Sequence, residues 1–219
     1  MKLPFSTEQF LEVFRNYNLA VWPAQIVLWL LAVMVIILAV KPQAFSGKYI
    51  SGLLAFFWLW MGIVYHLMHF TEINKGAYLL GGLFIVQGIL FWMVGVWQNK
   101  LAFRFQPNVY GLTGAVLLLY ALLIYPVLGY ALGHIYPASP TFGLPCPTTI
   151  FTFGILLWAD KKLPFFLLII PLLWSVIGFM AAVSLGIKED IGLLIAGLLA
   201  SFLIFRHNKT FAKTENIAS

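Results

Sequence analysis

Seven apolar runs dominate the chain, at about 20–40, 49–70, 77–98, 110–133, 147–159, 163–186 and 190–206. A hydrocarbon core of ~30 Å needs about 20 apolar residues of helix, at ~1.5 Å per residue. Most of these runs meet that length without an internal charge, so each reads as a helix that crosses a bilayer. The chain is 62% hydrophobic and 9% charged over 219 residues, whereas a soluble domain is about half apolar and a quarter charged. The expected fold is all-α: a polytopic membrane protein, a bundle of about seven transmembrane helices forming a single transmembrane domain over 1–219.

Loop charges give the expected orientation. Lys41, Lys48, Lys100, Arg104, Lys161, Lys162, Arg206, Lys209 and Lys213 fall on one side, and Lys2, Arg15, Lys75 and Lys188 on the other, nine against four. Short basic loops stay in the cytoplasm. The N-terminus is therefore expected outside, the C-terminus in the cytoplasm, and the number of spans odd. The net charge of +6 is not a nucleic-acid footprint, because the basic residues are spread over loops. The partner implied by composition is the lipid bilayer.

Residues 1–19 form an outer amphipathic segment. Ser6 and Gln9 are spaced as a capping box, and Phe10, Leu11, Val13 and Phe14 follow on an apolar side. Residues 6–17 read as a short N-terminal interfacial helix, with a simple extension of the first crossing as the alternative. The first apolar run is of full length and reads as a retained anchor. Residues 207–219 read as a polar cytoplasmic tail with frayed structure.

The fifth run is the anomaly. After Pro147 it holds only about 13 apolar residues, roughly 20 Å of helix. Either this crossing is short, or the segment from Phe142 to Pro147 enters the membrane as irregular chain. Irregular backbone at that depth is tolerated only when buried in protein or lining a cavity. A short, proline-interrupted crossing therefore points to a site. Pro145 and Pro147 flank Cys146, with Thr148 and Thr149 next. With Pro147 at the first helical position, Cys146 falls near the N-cap, where free N–H groups and the helix dipole favour thiolate. Thr148 and Thr149 would cap or line that helix start.

His66, His69 and Glu72 close the second run at the outer side, three residues apart, within an arc of about 120° on a regular helix. His134 and Cys146 lie in the outer loop, and Glu189 and Asp190 open the last run at the same side. Imidazole, thiolate and carboxylate are ligands for a transition-metal ion such as zinc or copper. The candidate metal set is His66, His69, Glu72, His134 and Cys146. The bland reading is polar groups at the interface closing the outer loop, with Cys146 a small buried residue. Gln87, Tyr120, Tyr125, Thr152 and Ser175 read either as an internal polar path or as single interhelical hydrogen bonds. The lone cysteine forms no intrachain disulfide. The last run has no lysine for a retinal Schiff base, and no Gly-x-Ser-x-Gly, Walker or Rossmann pattern occurs.

Three stretches, PFSTEQFLEVFRNYNLAVWPAQ at 4–25, WLWMGIVYHLMHF at 58–70 and PTFGLPCPTTIFTFG at 140–154, resemble a family of bacterial multi-span membrane proteins labelled domain of unknown function 6064. The resemblance implies the bacterial inner membrane and brings no activity or assigned residues. The function expected first is a small-solute or metal-ion transporter or binding protein with its site on the outer half. The alternatives are a sensory or assembly subunit without catalysis, and a membrane-embedded metal- or thiol-dependent enzyme.

Overall fold

A computed structural model describes residues 4–218, with the side chains of 4–210. The side chains of Lys2 and Lys213, part of the loop-charge reading, lie outside that description. Among the described residues there is no strand, only isolated bridges between Phe103 and Ala159 and between Phe142 and Leu144.

The helices are α1 (Thr7–Val21), α2 (Ala24–Val40), α3 (Ser46–Trp60), α4 (Ala77–Phe91), α5 (Val109–Leu119), α6 (Tyr125–Ala131), α7 (Pro145–Leu156), α8 (Phe166–Leu185) and α9 (Ile191–Ala218). Three of these passes contain π-helical turns: Met61–Leu67 after α3, Trp92–Trp97 after α4, and Tyr120–Ile124 joining α5 to α6. Pro126 sits just after the last of these, whereas Pro171 lies inside an unbroken α8. The polar tail continues α9 as helix.

Hydrogen bonds gather the loops at two opposite ends. At the basic end, Phe105 N–H donates to Ala39 O, Arg104 N–H to Trp158 O, and Asn208 pairs with the backbone of Leu163. At the acidic end, Thr7 donates to Leu185 O, Asn18 to Pro137 O and Ser139 O, and His134 pairs with Glu189. All seven expected apolar runs fold as helix. By length and composition, four helical stretches can cross a membrane: Ser46–Glu72, Ala77–Trp97, Val109–Ala131 and Phe166–Leu185. The pair Thr7–Val21 and Ala24–Val40 meets the same condition together, bent by 86°. These four or five candidates are fewer than the seven expected spans. Helix α7 falls short, with 12 residues or roughly 18 Å. The helices are those of a multi-pass membrane protein.

Local sequence explains the ends of these elements. Ser6 and Gln9 form the expected capping box at α1. Asn108 caps α5 by accepting from Tyr110 N–H and Gly111 N–H. Gly186, at φ +76, ends α8, and Ile187 N–H returns to Ala182 O in a Schellman closure. The small-residue face of α9 packs as such faces do, with Ala196 and Ala200 fully buried and Gly192 against the Tyr120 ring.

Helix α7 is the centre of the bundle. Every residue in it except Cys146 is buried, and it packs on α5, α8 and α9. A helix with no lipid-facing side need not match the hydrocarbon thickness. Its lead-in, Phe142–Leu144, is irregular and equally buried, so its backbone must be satisfied by protein. Gly143 N–H donates to Thr148 Oγ1, and Tyr17 donates to Gly143 O. Gly143 has φ +101, and a Cβ there would lie 2.6 Å from Leu28 Cδ1. The fully buried Asn18 holds the rest: its amide donates to Pro137 O and Ser139 O, and its Oδ1 accepts from Thr141 and Gln25.

One outcome follows for Asn18→Ala. Each group it orphans costs about 1–3 kcal/mol. The variant is expected to unfold at a temperature lower by several degrees in detergent, read by near-ultraviolet circular dichroism. An unchanged transition would show that Asn18 does not hold this loop.

Candidate functional site

Helix α1 is turned 86° from α2 and lies over the acidic end of the bundle. Its Val13, Phe14, Tyr17 and Asn18 are buried, which gives one apolar face and a polar C-terminal corner. Beneath it is a cavity of about 160 Å³. Phe10 and Phe14 of α1, Tyr65 and Phe70 after α3, Pro145 to Pro147 of α7, Trp174 to Ala182 of α8 in part, Tyr125 of α6 and Asp190 line it. The walls are apolar and rich in aromatic rings, and apart from Asn74 and Tyr65 the polar groups gather in one place. Asp190 ends the turn Lys188–Asp190 between α8 and α9 and is almost fully buried. It accepts a hydrogen bond from Tyr125 OH and another from the Cys146 thiol. The Trp174 indole N–H has no oxygen or nitrogen partner and faces the Cys146 sulfur.

A second acid stands beside the first. Glu189 is fully buried, with Oε1 2.6 Å from His134 Nδ1 and Oε2 without a partner. Its carbonyl accepts from Tyr120 OH at 2.7 Å. Two adjacent carboxyl groups thus share one imidazole neighbour, and the imidazole belongs to Glu189. Burial pushes the Asp190 carboxyl up to about 7, against the pull of the bonds from Tyr125 and Cys146.

The five expected ligands are placed separately. His66 is fully buried among the rings of Tyr65, Phe70, Phe84 and Trp174, and neither ring nitrogen has a partner. His69 turns the other way, with Nδ1 2.8 Å from Val64 O and its ring on Tyr17. Glu72 is exposed, His134 is with Glu189, and Cys146 is with Asp190. The 120° arc for residues 66 to 72 presumed a regular helix, but Met61–Leu67 is π-helical and His69 already lies beyond it. Among the described residues, no three His, Cys, Asp or Glu side chains form a group able to hold a metal ion.

The fifth-helix residues also differ in detail from expectation. Pro145, not Pro147, opens α7, with Leu144 as N-cap, so Cys146 lies in the first turn. The charged group it meets is a carboxylate, and among the described residues no Lys, Arg or His lines the cavity. Loss of water around the sulfur first, and the Asp190 carboxylate second, favour neutral thiol over thiolate. Thr148 reaches back to Gly143, whereas the Thr149 hydroxyl is buried without a partner. Tyr125, on the expected polar path, is at the site; Gln87 donates instead to Leu167 O, and Ser175 to Leu172 O.

The model of a family of unknown function, DUF6064, matches residues 7–215. The chain belongs to that family. No curated protein and no solved structure matches it. The family match takes in α1, the lead-in to α7 and the turn carrying Glu189 and Asp190, that is, every element of the cavity from residue 10 onward.

Asp190 makes the pH response of this family member specific. Its ordinary value is 3.8 and its folded value is about 7, so the folded chain binds this proton more tightly. The group's contribution to stability is complete below about pH 4 and is lost as pH rises toward 7. Asp190→Asn is expected to flatten the fall in unfolding temperature between pH 5 and 8 by several degrees. The check is a thermal unfolding series on both proteins; parallel curves would contradict the burial of a titrating Asp190.

Proposed function

We propose that this chain is a small-solute binding protein or transporter whose site is the cavity under α1. The observation that carries this reading is the cavity itself: about 160 Å³, aromatic-walled, with Asp190, Tyr125 and Cys146 converging at one spot. An apolar pocket with a few convergent polar groups is the form that ligand sites take. An apolar cavity of about 150 Å³ is large enough to hold benzene. The positive-inside bias puts the acidic end outside the cytoplasm, so the solute is met on the outer side of the bacterial inner membrane.

The cavity weighs against a subunit with no site of its own. A zinc or copper ion is not favoured as the solute, because the candidate ligands point to different neighbours. Thiol catalysis is disfavoured by the carboxylate beside Cys146.

Ala181 lines the cavity, and Ala181→Phe would fill it. In detergent, at least one of a panel of benzene-sized solutes is expected to raise the unfolding temperature of the unaltered protein by several degrees. Ala181→Phe should abolish that rise while keeping its helical circular dichroism. If no solute of this size stabilises the unaltered protein, the reading fails.

A further inference from the structure

The charge balance of the cavity is incomplete. Asp190 has no Lys, Arg or His partner within ion-pair distance among the described residues; the one buried pair at this end joins His134 to Glu189. Lys188, two residues away, is exposed. The N-terminus of α9, which starts at Ile191, supplies at most about half an elementary charge. A carboxylate carries about four lone-pair sites, and Tyr125 and Cys146 occupy two. Asp190 lines the same space as Phe10, Phe14, Tyr65, Phe70 and Trp174. Ring faces attract cations and repel anions, by about 0.5–2 kcal/mol for each good contact.

Resting on the binding reading above, we infer that the solute is a small organic cation, an amine or quaternary ammonium, with its positive nitrogen at Asp190 and its apolar part against the aromatic wall. The cation pairs with a buried carboxylate that has no cationic partner among the described residues, and the rings replace its water shell. An anion would meet the buried Asp190 carboxylate. A neutral solute would bury the carboxyl without supplying its missing partner. A cavity of about 160 Å³ matches a molecule of about one six-membered ring.

The experiment compares benzylamine with benzyl alcohol, which match in shape and differ in charge, with tetramethylammonium as a ring-free cation. Binding to the full chain in nanodiscs is measured by calorimetry at about pH 8, where Asp190 is ionised. Benzylamine is expected to bind at least about tenfold more tightly than benzyl alcohol, and tetramethylammonium to compete with it. Asp190→Asn should erase the tenfold preference for benzylamine over benzyl alcohol. Equal affinity for the two aromatic probes in the unaltered protein would overturn the cation assignment while leaving the binding reading intact. Failure of all three probes would overturn both. The comparison within the unaltered protein decides the matter even if the variant does not fold.

Discussion

A peptide group inside a bilayer protein has no water to fall back on. That constraint shapes the acidic end of this molecule. Helix α7 is too short to reach across a membrane, so its approach runs as irregular chain through the interior. Each exposed carbonyl and amide of that approach then has to find a protein partner. Asn18 and Tyr17 of α1 and Thr148 of α7 are among those partners. Helix α1 is consequently more than an amphipathic appendage: its C-terminal corner is part of the hydrogen-bonding of α7.

The same geometry creates the polar spot. Because α7 starts inside the bundle, its first turn brings Cys146 level with the turn that joins α8 to α9. Asp190 meets it there, and Tyr125 arrives from the π-interrupted fourth pass. A π-helical turn adds a residue and rotates everything beyond it, which is how Tyr120 and Tyr125 come to serve neighbouring groups, Glu189 and Asp190. The site depends on three irregularities in three passes, and none of them is a property of an ideal bundle.

Helical class, membrane character and the anomaly of the fifth run were legible from run length and charge alone. The tethering of 137–144 by protein was legible in principle, as a rule that such chain must be covered, but the partner was not. Asn18 looked like an ordinary polar residue after an amphipathic stretch, and nothing local marks it as the group that reaches 119 and 121 residues along the chain. The histidine arc failed for a definite reason: π-helical register is set by packing around Gly62 and Gly81, whose backbones nearly touch, and a 3.6-residue wheel cannot anticipate it. Glu189 and Asp190 read only as polar groups that open the last run at the outer side. Only the tertiary fold shows that the turn is tucked under α1 and α6, where both are buried.

The bend between α1 and α2 carries one more implication. The hydrogen bonds of α1 to the bundle sit at its extremities, Thr7 at one end and Tyr17 and Asn18 at the other, while the stretch between them adheres through phenylalanine rings. Such a segment behaves like a strap: fastened firmly at the α2 side, more lightly at its start, and slack in between. Lifting its first half would break the Thr7 bond to Leu185 O, expose Val13 and Phe14, and open a door onto the cavity. The route inward would then run sideways from the lipid surface beneath a hinged strap, with no need for a water-filled channel through the bundle.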